Sequence, residues 1–245
     1  MAKDEQSLPT VRLIAERTKR LSFPNLKRPR VPPNGPATQE LVNWSTRVYC
    51  FAWIRHFSEL LNGLVVLRDA DNIPSAIIVA RSAYELGAHA YYVKKHIKQH
   101  IDAKNFEAAW NFVTPIATGS RYMNEQFPET GDMFPTAAHI SKVINCFREV
   151  LPEDAVENYS FISEYCHPNM FAFMQHYEWP NQDEVSFIGH EAGGMFGATT
   201  AACLAGLMAI QEMLRLTGEK VIAMSLKETL IAAVKHEGHS ATISE

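Results

Sequence analysis

Residues 192–210 read AGGMFGATTAACLAGLMAI, nineteen residues without Asp, Glu, Lys or Arg. Small side chains recur in this segment at every fourth position, about one helical turn apart. Because small side chains let two helix backbones approach closely, the pattern predicts a central helix that is contacted on two sides. Those contacts could lie within one subunit or across a dimer axis. The two stripes of small residues are Gly193, Gly197, Ala201, Ala205 and Ala209, and beside them Gly194, Ala198, Ala202 and Gly206.

The length of this segment is close to that of a transmembrane helix. However, its four Gly, six Ala and two Thr leave only seven residues of stronger apolarity. Gly and Thr contribute little insertion free energy, and no cluster of Lys or Arg flanks either end. We therefore predict a buried helix of a globular protein and no membrane span.

The rest of the chain predicts further helices and no sheet. Apolar residues recur at helical spacing through most of residues 37–236, and no segment alternates apolar and polar residues between turn signals. We expect an all-α fold with about six to eight helices. Five prolines within residues 23–36 exclude a helix there and predict a semi-extended linker. The expected organisation is an N-terminal arm at 1–36, a helical domain at 37–236 and a frayed tail at 237–245.

Three local signals predict where helices begin and end. Thr38 is expected to cap the first helix of the body, because its hydroxyl can accept a hydrogen bond from the first helical turn. Pro74 is expected in the first turn of the next helix, where a missing N–H is tolerated. Gly218 is expected to stop the helix that starts near Ala192.

Charge divides the chain into a basic arm and an acidic body. Residues 1–30 carry a net charge of +5, and the remaining residues carry −9. Such an arm could fold back on the acidic body, contact an acidic partner or bind RNA. The arm residues expected to meet an RNA or an acidic partner are Arg17, Lys19, Arg20, Lys27, Arg28 and Arg30.

The cysteines and the N-terminal residues indicate the compartment. Four dispersed Cys residues without a C-x-x-C pair are typical of reduced thiols in a protein core. The first residues carry charges and lack the apolar segment of a secretory leader. We therefore expect a cytoplasmic protein.

Several common chemistries lack their sequence signals. The chain has no G-x-x-x-x-G-K-[ST], no G-x-G-x-x-G and no G-x-S-x-G, so phosphate-loop, dinucleotide-binding and hydrolase-elbow sites are not expected. His190 and Glu191 begin like a zincin motif, but glycine stands where the second His is required. His96 and His100 are one turn apart among lysines, which favours a solvated helix end. We expect no metal and no cofactor.

The second helix of the body carries a polar stripe through an apolar surface. Arg81, Glu85 and His89 follow one another at i+4 spacing, and Arg81 and Glu85 can form an ion pair. Buried ions lose hydration and need further partners. A later helix offers Tyr159, Ser163 and His167 on one face, so we predict a cluster of Arg81, Glu85, Ser163 and His167. A structural network that fixes helix register is the alternative to a functional site.

Two motifs in these helices resemble a known group of proteins. Arg81-Ser82-Ala83-Tyr84-Glu85 fits an R-S-x-x-E helix, and Ser163-Glu164-Tyr165-Cys166-His167-Pro168 fits an S-E-x-x-H-P segment. The chain thus resembles an uncharacterised bacterial helical family that is placed near the HEPN-like domains. The resemblance covers roughly residues 40–215.

The resemblance implies a HEPN-like helical bundle that forms a homodimer. Many HEPN proteins are ribonucleases of toxin–antitoxin or phage-defence systems and use an R-x4–6-H signature. Here seven residues separate Arg81 from His89, and no Arg precedes His167 within six. One interpretation is a metal-independent ribonuclease in which Arg81 stabilises phosphate charge and His167 acts as general acid and base. The other is a non-catalytic interaction or ligand-binding module. Residues expected to assist binding are Tyr159, Glu164, Asn169 and His89.

Overall fold

A computed structural model describes residues 2–30, 35–118, 139–166, 177–181, 184–187 and 195–242 of the chain. Within these ranges there are eight helices and one pair of antiparallel β-strands. The helices are α1 (Ala2–Lys19), α2 (Gln39–Asp69), α3 (Ile73–Asp102), α4 (Phe106–Thr118), α5 (Ile140–Phe147), α6 (Glu153–Tyr165), α7 (Met195–Leu216) and α8 (Lys220–Thr242), and the strands are β1 (Tyr177–Asn181) and β2 (Glu184–Phe187). The all-α class predicted from the sequence is confirmed.

Helix α7 lies at the centre of the bundle and packs against α1, α2, α3, α6 and α8. Its most extensive contact is with α3, and the two backbones come very close there. A Cβ atom added at Gly87 of α3 would lie 2.4 Å from the carbonyl oxygen of Ala202, and one added at Gly206 would lie 2.7 Å from Gly87 Cα. These distances are too short for any side chain, so glycine is required at both positions. The predicted central small-residue helix is therefore confirmed.

Only one of the two small-residue stripes forms this close crossing. Ala198 and Ala202 are buried with Gly206 against α3. Ala201 and Ala205 are only partly buried, and the neighbouring Met208 is 59% exposed. Both alanines nevertheless pack against the core, and Ala209 of the same stripe is buried, so a tight contact at Ala201 and Ala205 away from the α3 crossing stays a prediction. Gly193 and Gly194 lie outside the described residues.

The burial of α7 also explains its apolar composition. Phe196–Leu216 is long and apolar enough to cross a membrane, but 61% of its most apolar window is buried inside the bundle. A core helix of a globular domain has this composition because both its sides face other helices. The segment is thus accounted for by helix packing.

The local signals at the helix ends are confirmed. The Thr38 hydroxyl accepts a hydrogen bond from the N–H of Leu41 at 3.2 Å. Asn72 caps α3, and Pro74 occupies its first turn. Gly218 adopts a φ of +81° after α7, a left-handed conformation in which glycine avoids the steric cost of a Cβ. Helix α8 continues to Thr242, beyond the predicted end at residue 236.

The N-terminal arm folds back on the body. Val11 and Ile14 of α1 are fully buried in the core, and Arg12 Nη2 donates to both carboxylate oxygens of Asp69, at 2.7 and 2.9 Å. The predicted linker has neither helix nor strand over residues 21–30. The Phe23 ring in this linker stacks on Phe51 of α2 with centroids 4.8 Å apart. Of the three interpretations of the arm, docking on its own body is the one this packing supports.

The pair of β-strands is not expected from the sequence. Strands β1 and β2 pair antiparallel, with Tyr177 opposite Phe187. Both strands contain aromatic or β-branched residues, which favour extended backbone, and β1 ends at Asn181. The strands are only five and four residues long, and Pro180 interrupts the first, so alternation was too short to recognise. The prediction of a helical domain without a sheet is therefore wrong for this segment.

The close crossing predicts opposite effects of alanine at two helical glycines. Gly87→Ala should destabilise the fold by about 1–3 kcal/mol, because the new methyl group meets the backbone of Ala202. Gly63→Ala is the matched control, since nothing lies within 4 Å of a Cβ at Gly63. That change should stabilise the fold by about 0.5–1 kcal/mol through helix propensity. Chemical denaturation of both variants measures the two effects, and equal stabilities would contradict the crossing.

Candidate functional site

Arg81 and Glu85 sit on the side of α3 that faces α6. The Arg81 Nε donates to Glu85 Oε1 at 2.8 Å, as the one-turn spacing predicts. The side chains are 26% and 27% exposed. The pair is therefore half-buried at the edge of the α3–α6 contact, where solvent still screens it.

Tyr159 connects this pair to α6. Its hydroxyl donates to Glu85 Oε1 at 2.9 Å, so one carboxylate oxygen accepts hydrogen bonds from two helices. The Tyr159 ring stacks on Tyr84 of α3 with centroids 4.7 Å apart. The Tyr84 hydroxyl in turn donates to the Ala155 carbonyl at 3.3 Å. The α3–α6 contact thus combines an aromatic stack with a shared carboxylate.

The electrostatics of the cluster keep its donors protonated. Burial, followed by the hydrogen bond to Glu85 and its negative charge, raises the pKa of Tyr159 to about 12. For Arg81, burial lowers the pKa, but the adjacent Glu85 outweighs it, and the net change is upward. At neutral pH Arg81 is therefore a guanidinium cation and Tyr159 a neutral phenol.

Cys166 is a member of the cluster that the sequence did not indicate. Its thiol interacts with Arg81, which opposes the rise in the pKa of Cys166 that burial causes. A thiol is a weak hydrogen-bonding group, so a search for polar stripes does not select it. The pKa of Cys166 remains raised, which is the opposite of an activated thiolate nucleophile.

The predicted residues of α6 have different positions around this cluster. Ser163 is half-buried, and no hydrogen bond from its hydroxyl to Arg81 or Glu85 occurs in the described part of the chain. Glu164 lies on the exposed side of α6. His167 and Asn169 lie outside the described residues. Among the described residues of the predicted α6 face, Tyr159 is therefore the one that contacts the Arg81–Glu85 pair.

His89 belongs to a separate contact. Its Nδ1 lies 2.9 Å from the Tyr49 hydroxyl of α2, and burial lowers the pKa of the imidazole. Further along the same stripe, His96 contacts Phe112 of α4 with centroids 5.0 Å apart. Each step of four residues turns the side chain by about 40° around the helix. The stripe therefore faces α6, α2 and α4 in turn and does not form one site.

The remaining candidates are a metal site and the basic residues of the arm. Among the residues that the structure describes, no group of three or more His, Cys, Asp and Glu side chains could hold a metal ion. The six basic arm residues are all exposed. Arg17 donates to the Glu228 carbonyl at 3.4 Å, and Arg28 lies over the Trp44 ring at 5.8 Å.

Comparisons with family models, with curated proteins and with solved structures give no match to this chain. The HEPN-like resemblance therefore stays a prediction. Function has to be argued from the contacts of the described residues alone.

The shared carboxylate predicts energetic coupling between α3 and α6. Tyr159→Phe and Glu85→Gln should each destabilise the fold by about 1 kcal/mol, since each weakens a hydrogen bond to a charged group. The double variant should lose less stability than the two single variants lose together, with a coupling energy of about 0.5–1.5 kcal/mol. Urea denaturation of the four proteins gives this coupling. Ser160→Ala, an exposed neighbour on α6, serves as the control, and additive effects would show that the two side chains do not interact.

Proposed function

We propose that this protein is a non-catalytic helical interaction module in which the Arg81–Glu85–Tyr159 cluster is architectural. The observation that carries the proposal is the double acceptance at Glu85 Oε1, at 2.8 Å from Arg81 Nε and 2.9 Å from the Tyr159 hydroxyl. Both donors are directed at the same oxygen of the same chain. Such a closed network joins two helices and fixes their register.

The chemistry of the cluster supports this interpretation. A general acid or base works best with a pKa near the operating pH, whereas the pKa of Tyr159 is about 12. Glu85 also neutralises Arg81, and a carboxylate at this distance would repel the phosphate of a nucleic acid. The described members of the cluster are therefore better suited to holding helices together than to transferring protons.

The surface of α8 supports an interaction role. This helix buries one apolar face in the core and leaves four large apolar side chains exposed along its length. Exposed apolar side chains grouped on one element typically mark a surface that binds another protein. The exposed fractions are 74% at Val221, 62% at Met224, 46% at Ile231 and 60% at Val234.

A second candidate function is metal-independent RNA cleavage, as in the toxin or phage-defence proteins that the resemblance implies. The observation that favours it is the interaction between Arg81 and Cys166, because Cys166 directly precedes His167 in the chain. In this alternative, Arg81 stabilises the phosphate charge, His167 transfers protons and the exposed arm residues bind RNA.

RNA cleavage assays distinguish the two candidates. We expect the parent protein, with or without EDTA, to cleave single-stranded RNA no faster than Arg81→Gln and His167→Ala variants do. His100→Ala is the control for a histidine change elsewhere. Cleavage that resists EDTA and that Arg81→Gln and His167→Ala abolish without lowering the melting temperature would establish the ribonuclease and overturn the module.

A further inference from the structure

The last turns of α7 and the first turns of α8, which Gly218 separates, form an open groove of about 470 Å³. Its α8 side chains recur at i, i+3, i+4 and i+7, so they belong to one face of that helix. We call it the basic groove. It is lined by Gln211 and Arg215 of α7 and by Lys220, Ala223, Met224 and Lys227 of α8.

The three cations of the basic groove have no acidic partner. Arg215, Lys220 and Lys227 are all exposed, and none takes part in a salt bridge within the described ranges. They lie on a body whose net charge is −9 over residues 31–245. The groove therefore concentrates positive charge on an acidic body, and this local charge attracts an acidic ligand.

An apolar extension continues the basic groove along α7. This second groove has a volume of about 350 Å³ and shares Gln211 and Arg215 with the first, so the two are contiguous. Met208 and Val150 line it and are 59% and 44% exposed. The extension thus places apolar side chains beside the unpaired cations.

The shape of this surface favours a helix over a small molecule. Small ligands usually bury most of their surface in an enclosed pocket, whereas Met208 and Met224 are more than half exposed. Two packed helices present a groove in which the side chains of a third helix can pack. Methionine side chains are flexible, so they adapt to the apolar face of a bound helix.

The lysines indicate the charge of that helix. Lys220 and Lys227 are seven residues apart on one face of α8, which is two turns or about 10 Å along the helix. Carboxylates two turns apart on a bound helix have the same spacing, so both lysines can form ion pairs at once. Arg215 adds positive charge from α7, on the other side of the groove.

We propose that the basic groove and its apolar extension bind an acidic amphipathic helix of a partner protein. The apolar face of that helix packs on the two exposed methionines, and its carboxylates pair with the three cations. This inference rests on the assignment of the protein as an interaction module and names the chemistry of the partner.

Single-stranded RNA fits this surface less well. Proteins that bind single strands combine cations with aromatic rings on which bases stack. Among the described lining residues, Tyr91 is the only aromatic one, and its ring already contacts Lys94, at 4.8 Å from the ring centroid. Lys94 also pairs with Glu212 at 3.3 Å. The extension therefore offers neither a stacking platform nor further unpaired charge.

Two designed peptides test the proposal. The acidic probe is a fluorescein-labelled helix of about 18 residues with leucines at i, i+3, i+4 and i+7 and glutamates beside them. The basic probe has lysine in place of every glutamate. Measured by fluorescence anisotropy, the parent should bind the acidic probe with a Kd of about 10 μM, more weakly as salt rises, and should not bind the basic probe.

Two groove variants separate the charged from the apolar contribution. Lys220→Glu/Lys227→Glu should weaken binding of the acidic probe by about tenfold or more and create binding of the basic probe. Met208→Ser/Met224→Ser should weaken binding by about tenfold without changing its salt dependence. Lys19→Glu/Lys27→Glu, a matched charge change on the exposed arm, should bind the acidic probe like the parent.

Two further measurements guard against misfolding and binding elsewhere. Circular dichroism melts show whether each variant folds, and Lys220→Gln/Lys227→Gln provides a milder change if charge reversal unfolds the protein. In methyl NMR spectra of the methionine-labelled parent, the acidic probe should shift the resonances of Met208 and Met224. The resonance of Met213, which is fully buried, should not move.

Three results with the probes would overturn the proposal. These are a parent that does not bind the acidic probe, a parent that binds both probes alike, and binding that the arm variant abolishes but the groove variant does not. Single-stranded RNA, or vesicles of phosphatidylcholine and phosphatidylserine, might compete for the groove. If either binds the parent more tightly than the acidic probe and loses affinity in the groove variant, the groove belongs to that ligand and the proposal is wrong.

A second copy of the chain is the remaining occupant. Self-association of the parent that the groove variant abolishes and that excludes the acidic probe would also overturn the proposal, and sedimentation velocity detects it. The RNA cleavage assay compares Arg81→Gln and His167→Ala, which leave the lining of the groove unchanged. A failed probe therefore does not decide the interaction-module assignment, and RNA cleavage would overturn that assignment whether or not the probe binds.

Discussion

The close approach of α3 and α7 is the constraint on which the rest of the structure depends. At Gly87 and Gly206 the two backbones lie so close that a Cβ atom on either residue would collide with the other helix. Two long helices at this separation exclude water along their contact and leave their remaining sides to the other helices. Helix α2 packs on α3, whereas α6 and α8 pack on α7, so the crossing fixes where every neighbour can lie.

The same crossing determines the character of the polar cluster. Because one side of α3 is buried against α7, Arg81 and Glu85 are carried to the edge, where α6 covers them only partly. Half-buried ion pairs contribute little free energy by themselves. Here the direction of the hydrogen bonds matters more than the charge, since Tyr159 and Arg81 meet at one oxygen of Glu85. In the architectural role that we propose, the cluster specifies the register of α6 on α3.

Features set by local spacing were predictable from the sequence. Thr38, Pro74 and Gly218 mark helix ends through their own backbone chemistry, and the Arg81–Glu85 pair follows from helical geometry. Features that depend on which neighbouring helix a side chain faces were not predictable from the sequence. Both stripes of α7 carry small residues, so the sequence could not show that α3 packs on Ala202 and Gly206 and leaves Ala201 and Ala205 partly exposed. Cys166 was missed because a thiol resembles a core residue, and His89 was misplaced because the α3 stripe turns toward α2.

Native-state amide hydrogen exchange tests the α3–α7 crossing most directly. Amides around Gly87 and Ala202 should exchange last, with protection equal to the free energy of global unfolding, because their hydrogen bonds open only when the two helices separate. Amides of α1 and α6 should exchange earlier through partial unfolding. Exchange around Gly87 and Ala202 that is as fast as in α1 or α6 would contradict the account, because the crossing would then not be the most stable part of the fold.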